Sequence, residues 1–135
     1  MSPEQIERYL SKPHIADLAT VRPDGSPHVA PVWFLYEDGV VKVLAETGTV
    51  KIKNLKREPR VSVSIATDQR PYEYVIVNGL AEVSGGDISD ILRRISVHYQ
   101  GLEEGERYSA RALLEMELCL ITIRPSRLTG WSGES

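Results

Sequence analysis

The sequence predicts a mainly β fold, a closed or nearly closed barrel with a few helices packed outside it. Two observations support this prediction. Six or seven short runs of apolar and β-branched residues recur along the 135 residues, as strands do. Turn sequences rich in Pro, Asp and Gly lie between several of them. A chain of this length is typically one domain, so we expect residues 1–135 to form a single domain.

The first part of the chain predicts a helix followed by three strands. Ser2 can cap a helix and Gln5 completes a capping box, so we expect a helix over residues 3–11. The turn sequences RPDGSP and EDG divide the apolar runs that follow. The three strands are predicted at 14–21, 28–36 and 40–46.

The rest of the chain predicts strands interrupted by two helices. Gly79 indicates a bulge or bend in a long strand. We expect Asp87 to cap a helix whose apolar face includes Tyr99, and Ser109 to cap a second helix at 110–116. Between these helices, a segment with three acids and two glycines predicts a solvated loop: Gly101, Glu103, Glu104, Gly105 and Glu106. The remaining strands are predicted at 61–67, 72–83 and 118–124, the last with an extension or a further strand at 127–131.

Composition disfavours several classes of protein. The net charge is −3, whereas nucleic-acid-binding domains usually present a basic face. Cys119 is the only cysteine, which excludes a disulfide framework and a thiolate metal site, and the three histidines show no ligand spacing. No apolar run approaches the roughly 18 residues of a membrane span, and the N-terminus lacks a signal-peptide core. We therefore expect a cytoplasmic protein with no metal, membrane or nucleic-acid partner.

One segment of this acidic chain is strongly basic. Residues 51–60 hold five cations and a single acid. A short helix is predicted over 50–57 with Thr49 as its cap, which places Lys51 and Lys53 in the first turn. Cations are unfavourable there, because a helix N-terminus already carries partial positive charge. Backbone N–H groups, the Thr49 hydroxyl and both lysines would together suit a phosphate. The alternative is a solvated helix whose lysines point outward.

Pro31 lies inside an otherwise strong strand, HVAPVWF. Proline cannot donate to a strand ladder, so this strand is either at a sheet edge or locally broken. A break would leave backbone groups of Val32 and Trp33 free to meet a ligand. The alternative is a plain edge strand, in which Trp33 is an ordinary packing residue.

Several segments, taken in order, resemble a known family. LATVRPDGSPHVAPVWF, EDG and TGTVKIKNLKREPRVSVSI are similar to segments of the pyridoxamine 5′-phosphate oxidase-like split-barrel flavoproteins. LRRISVHYQG and ITIRPSRLTGW also resemble the branch that contains deazaflavin (coenzyme F-420)-dependent reductases. The resemblance implies a six-stranded split β-barrel with Greek-key connections. It also implies a homodimer with two flavin sites in grooves between the subunits.

The same resemblance implies where the cofactor lies. The family binds the cofactor phosphate through the lysine of a K-x-[RK]-N-L segment, which corresponds here to KIKNL, and through a hydroxyl or basic residue just before it. Its second strand faces the ring system, the end of its third strand lies at the cofactor, and a C-terminal tryptophan approaches from the same subunit or its partner. The implied cofactor-binding residues are Pro31, Val32, Trp33, Ala45, Glu46, Thr49, Lys51, Lys53, Asn54 and Trp131.

The function implied is that of an oxidoreductase that transfers hydride through bound FMN, or through the deazaflavin coenzyme, to a small conjugated substrate. Pyridoxamine-phosphate oxidases end in an Arg-x-His-type segment, whereas this chain ends RLTGWSGES. We therefore do not expect vitamin B6 oxidation. The alternatives are a split barrel that binds or carries flavin or haem without turnover, and a structural subunit whose basic segment contacts an acidic protein.

Overall fold

A computed structural model describes residues 1–133 as a mainly antiparallel β protein with four helices. The strands are β1 (Ala16–Val21), β2 (Pro27–Val32), β3 (Leu35–Glu37), β4 (Val40–Glu46), β5 (Arg60–Ala66), β6 (Glu73–Ser84) and β7 (Leu118–Ser132). The helices are α1 (Pro3–Leu10), α2 (Val50–Arg57), α3 (Ser89–Gln100) and α4 (Leu102–Glu115). No helix among residues 1–133 is both long enough and apolar enough to cross a membrane.

All seven strands belong to one sheet in the order β2-β1-β5-β6-β7-β4-β3. The two edge strands, β2 and β3, are consecutive in the chain and only Trp33 and Phe34 separate them. Three Cα–Cα steps of 3.8 Å allow at most about 11 Å between Val32 and Leu35. The sheet must therefore curl until its edges nearly meet without pairing, which is the form of a split barrel and agrees with the predicted fold class.

The strand count differs from the predicted six because the segment 28–36 is two strands. The β2 ladder with β1 ends at Val32, and β3 pairs instead with β4 from Leu35 onward. Pro31 indicated either an edge strand or a locally broken strand, and both are observed. Strand β2 lies at the edge of the sheet, and its ladder ends one residue after Pro31. The segments 118–124 and 127–131 are one strand, β7, and the predicted irregularity at Gly79 is a register shift between Asn78 and Gly79.

The first two helices agree closely with prediction. In α1 the Ser2 hydroxyl accepts from the Gln5 amide, and the Gln5 side chain accepts from the Ser2 amide, so the capping box is present. The helix predicted over 50–57 is α2, with Thr49 in the N-cap position. Both local signals were therefore sufficient to fix a helix start.

The prediction for the other two helices is partly wrong. Helix α3 begins at Ser89, after Asp87 accepts hydrogen bonds from the Ser89 amide and hydroxyl. Helix α4 begins at Leu102 rather than 110, so the acidic segment is its first turns and not a loop. Ser109 does not cap it but lies buried inside it. Acids at 103 and 104 are favourable there because they complement the positive end of the helix dipole.

Two apolar clusters organise the molecule. The larger fills the barrel with side chains from every strand's inner face, among them Leu18, Val43, Val63, Val77 and Ile121. The smaller lies outside the barrel, where apolar residues of α3 and α4 pack with Trp33 and with residues of β3, β4 and β7. This second cluster holds the helical pair beside the break in the edge.

Candidate functional site

A cleft lies where the edge strand breaks, between the end of β2, the start of α2 and the α3–α4 pair. We call its deeper part the inner hollow; it has a volume of about 200 Å³. An outer hollow of about 370 Å³ adjoins it and shares Pro31, Val32, Trp33 and Tyr108 with it. The inner hollow is lined by Pro31, Val32, Trp33, Leu44, Lys51, Leu92, Ile95, Ser96, Tyr108, Met116 and Leu118.

Concavities larger than either hollow lie elsewhere on the surface, with volumes of about 590, 840 and 440 Å³. Size alone would favour them. The cleft is the better candidate because it brings a cation at a helix start beside an aromatic wall. It also contains four of the residues that the sequence predicted, Pro31, Val32, Trp33 and Lys51.

Trp33 is held in the cleft by Tyr99 of α3. The two rings stack with centroids 4.8 Å apart and planes 8° apart. The Tyr99 hydroxyl accepts from the Phe34 amide at 3.0 Å and donates to the His14 carbonyl at 2.6 Å. Burial raises the pKa of Tyr99 to about 12, so the hydroxyl keeps its proton near neutral pH. Tyr99 thus satisfies the broken backbone and orients Trp33.

The start of α2 is electropositive. Its first turn contains no acid, and within the described chain no side chain caps it. Thr49 is in the N-cap position, but its hydroxyl donates to the Glu46 carbonyl at 2.9 Å. Lys51 is half-buried and lines the inner hollow, whereas Lys53 is exposed. Unpaired amides of a helix start and a lysine beside them are the usual components of an anion site.

Asn54 holds α2 in place. Its side chain is 2% exposed and its amide donates to the Thr20 hydroxyl of β1 at 3.0 Å. Arg57, one turn further on, donates to the backbone carbonyl of Val21 and, at 3.5 Å, to the side-chain Oδ1 of Asn54. The side chain of Asn54 is therefore engaged with the protein, and its contribution to the cleft is to fix the direction of α2.

The end of β4 leads the chain into α2. Ala45 is buried and its carbonyl accepts from the Cys119 thiol at 3.5 Å. Glu46 is exposed, and its carbonyl accepts from both the amide and the hydroxyl of Thr49. These bonds shape the turn that presents the start of α2 to the cleft. Neither residue lines the inner hollow.

Trp131 is not brought to the cleft within one chain. It pairs with Tyr74 near the end of β7 that lies opposite Leu118, which lines the inner hollow. Thirteen residues of strand correspond to a path of about 40 Å. Trp131 is 46% exposed and stacks on Tyr74 at 5.7 Å. A role at the site would require it to act across a subunit interface.

Comparison with known proteins identifies the family. The family model for pyridoxamine 5′-phosphate oxidase matches residues 2–122. The chain belongs to the pyridoxamine 5′-phosphate oxidase-like split-barrel family. We found no significant match among curated proteins.

Solved structures agree with this family. A structure named F420 reductase is 31% identical, with a TM-score of 0.77, and the match covers 95% of this chain and 98% of that one. A conserved hypothetical protein of Mycobacterium tuberculosis is 26% identical, with a TM-score of 0.81, and the match covers 98% and 86%. A putative pyridoxamine 5′-phosphate oxidase from Listeria innocua is 20% identical over 93% and 94%, with a TM-score of 0.69, and shares the fold.

Most of the residues that line the inner hollow were not predicted as site residues, and two of these, Tyr108 and Ser96, carry hydroxyl groups. Tyr108 lies in α4, in the segment expected to be a loop. Ser96 lies four residues after Leu92 in α3, so the signal was a hydroxyl on the apolar stripe of that helix. Tyr99 was assigned to packing, which its stacking on Trp33 confirms, but its two hydrogen bonds to backbone groups could not be foreseen.

The side chains that line the cleft are chemically suited to a planar cofactor that carries a phosphate. Lys51 and the free amides of α2 suit the phosphate, and the aromatic and aliphatic wall suits a ring. Ser96 adds a buried hydroxyl whose oxygen has no partner within residues 1–133. No Asp, Glu or His is found among the described residues that line either hollow.

Proposed function

We propose that the chain is an oxidoreductase that binds a phosphorylated flavin, FMN or the deazaflavin coenzyme F-420, in the cleft. Its substrate is a small conjugated molecule. The observation that carries the proposal is the position of Lys51, which faces the same hollow as Pro31, Val32 and Trp33 at the uncapped start of α2. Membership of a flavin-binding split-barrel family supports it.

Lys51 and Lys53 hold the phosphate in this proposal, together with the first amides of α2. The cations offset the ester's charge, and the helix dipole acts in the same direction. Thr49 contributes its hydroxyl oxygen or, after rotation, its proton. Asn54 acts indirectly by fixing α2 on β1.

Pro31, Val32 and Trp33 contact the ring, and Ala45 and Glu46 border the cofactor where β4 ends. Trp33 presents an aromatic surface that Tyr99 and Tyr108 support, at centroid distances of 4.8 and 6.0 Å. A bound flavin supplies the hydride chemistry, and the protein supplies position and electrostatics. We assign no catalytic acid or base, in keeping with the absence of carboxylates and imidazoles from the described lining.

A homodimer completes the site in this proposal. The inner hollow of about 200 Å³ reaches the roughly 300–1,000 Å³ of a typical small-molecule site only together with the outer hollow of about 370 Å³. A second subunit would deepen the cleft and carry its own Trp131 to it. The exposed aromatic residues near Trp131, which include Tyr72 and Tyr74, suit a covered surface better than a solvated one.

The choice between FMN and the deazaflavin depends on one comparison. FMN is slightly favoured because it occurs more widely, whereas the structure named F420 reductase, which is similar over almost the whole chain, supports the deazaflavin. The deazaflavin has a long acidic tail, which the basic segment could meet. Arg60 and Arg57 already bind Glu58 and the Val21 carbonyl, so we expect Lys56 to be the residue most available to that tail.

The test is a titration of the purified protein with FMN and, separately, with the deazaflavin, followed by absorbance and fluorescence. The proposal predicts saturable binding of at least one. Mass spectrometry of any small molecule that copurifies gives its identity independently. Failure of both cofactors to bind would contradict the proposal.

A non-catalytic flavin carrier, or haem binder, is the second candidate, and the lack of an acid or base in the described lining favours it. Reduction of the bound cofactor followed by addition of conjugated acceptors separates the two. Rapid reoxidation that depends on acceptor concentration supports the enzyme. Reoxidation by dioxygen alone, at a rate no acceptor changes, supports the carrier.

A further inference from the structure

Ser96 lines the inner hollow, and its hydroxyl is buried. The residue is 1% exposed, and its Oγ has no hydrogen-bond partner among residues 1–133. Apart from Lys51 and the rim of Tyr108 and Trp33, the lining described is aliphatic. A buried hydroxyl without a partner is costly, because it loses its hydrogen bonds to water and gains none.

Another buried serine shows how the fold normally treats such a group. Ser109 of α4 is 5% exposed, and its hydroxyl donates to the Glu106 carbonyl one turn earlier, at 3.1 Å. Helices commonly satisfy a serine in this way. Ser96 does not follow this pattern, although Gly105 brings the two helices into close contact beside it.

We propose that Ser96 Oγ is a ligand contact, which hydrogen-bonds a carbonyl or ring nitrogen of the molecule bound in the inner hollow. This inference rests on the proposed function. It gives the ligand two polar anchors on opposite elements: an anionic arm at Lys51 on α2 and the ring at Ser96 on α3. The flat, apolar body between them packs on Trp33.

FMN and the deazaflavin share the chemistry that Ser96 would recognise. Both rings end in a pyrimidine-dione, whose carbonyl oxygens accept hydrogen bonds from a hydroxyl. A contact to this end of the ring does not depend on the phosphate. Ser96 and Lys51 should therefore act independently, and a ligand without phosphate can separate them.

The experiment measures the affinity of wild type, Ser96→Ala and Lys51→Ala for FMN and for riboflavin, which lacks the phosphate. Ser96→Ala should weaken both ligands by the same factor, about five- to tenfold. Lys51→Ala should weaken FMN by at least about tenfold and leave riboflavin nearly unchanged. Ser84→Ala, at an exposed serine in β6, is the matched control and should change neither.

A second measurement uses the ligand-free protein. Because Ser96→Ala removes an unpaired buried hydroxyl, it should raise the melting temperature by about 2–4 °C. Unchanged flavin affinity, or a lower melting temperature that reveals a protein partner for the hydroxyl, would overturn the inference and leave the proposed function standing. If wild type binds neither FMN nor riboflavin, both the inference and the choice of FMN are lost.

Discussion

Lys51 is the residue on which the account of the cleft depends most. It adds a cation where α2 already carries partial positive charge, and it is half-buried and lines the inner hollow. Lys51→Ala should weaken cofactor binding by roughly 1.5–3 kcal/mol, the value of a charged hydrogen bond. Isothermal titration calorimetry with the cofactor measures the change.

Lys56→Ala is the matched control with FMN, because Lys56 lies in the last turn of the same helix. It removes the same charge at the end where a cation is favourable. We expect Lys56→Ala to alter FMN affinity much less than Lys51→Ala. Equal losses for the two variants would mean that the basic segment acts only as a diffuse charge.

Tyr99 links the break in the edge strand to α3. Tyr99→Phe keeps the stacking on Trp33 but removes the acceptor for the Phe34 amide and the donor to His14. We expect a loss of about 1–3 kcal/mol in the free energy of unfolding, since the amide of the buried Phe34 loses its partner. Urea unfolding measures it, and Tyr72→Phe, at an exposed ring, should be neutral. A neutral Tyr99→Phe would show that the break is held by other contacts.

For single residues, the sequence predicted those whose role follows from their immediate neighbours in the chain. Lys51 was identified by a charge at the wrong end of a helix, and Pro31 by a missing donor in a strand. Ser96 and Tyr108 could not be predicted, because they reach the cleft only when α3 and α4 pack against β4 and β7. The spacing of residues along the chain does not predict how these helices pack on the strands.

Helices α3 and α4 form one wall of the cleft, and they are the elements that were predicted least well from the sequence. A Cβ at Gly105 would lie 2.5 Å from the backbone N and Cα of Val97, so Gly105→Ala should force the helices apart. We expect a loss of about 1–3 kcal/mol from overpacking, despite the higher helix propensity of alanine. Flavin affinity should fall too, because Ser96 adjoins the contact.

Gly85→Ala is the control for this prediction. Gly85 follows β6, and a Cβ there would meet nothing within 4 Å. It should leave both the urea midpoint and the flavin affinity unchanged. A Gly105→Ala variant as stable as Gly85→Ala would show that the helices tolerate a wider separation.

Glu37 of β3 forms an ion pair with Arg94 of α3 and another with Lys42 of β4, so the first of these joins the hairpin to α3. Arg94 and Lys42 donate to this carboxylate at 2.6 and 2.8 Å, and the Arg94 bond is the main reason that its pKa falls to about 2. A pKa lowered on folding stabilises the protein above the unfolded value of 4.5, and this stability is lost as pH falls toward about 2.

Glu37→Gln should therefore lower the free energy of unfolding by about 1 kcal/mol at about pH 7, allowing for partial exposure. It should also make stability less dependent on pH between about 5 and 2. Urea unfolding at several pH values measures both. Glu82→Gln, at an exposed position of β6, should change neither, and an equal pH slope for wild type and Glu37→Gln would contradict the assignment.

The prediction of helices succeeded where the sequence at the helix start was characteristic. It failed where the packing of one helix on another determines the boundary. The capping box of α1 and the Thr49 start of α2 were found. The acids at 103 and 104, with Gly105, indicated a loop, although the acids suit a helix start and the glycine serves close packing on Val97. The split of 28–36 into two strands was indicated by Pro31, but its position depends on Tyr99.

For the whole molecule, the curled sheet and the small inner hollow lead to the proposed homodimer. We expect light scattering at micromolar concentration to give twice the mass of the 15.1 kDa chain. Trp131→Ala should change turnover or substrate affinity more than cofactor affinity, and Trp131→Phe should largely restore them. A monomer in solution, or a Trp131→Ala protein with unaltered steady-state kinetics, would remove Trp131 from the site.

The position of the cofactor phosphate is best determined by a crystal structure of the protein saturated with its cofactor. We expect the phosphate at the start of α2, with the Lys51 ammonium about 3 Å from a phosphate oxygen and the ring against Pro31, Val32 and Trp33. A phosphate bound elsewhere, with Lys51 and Lys53 both extended into solvent, would contradict it.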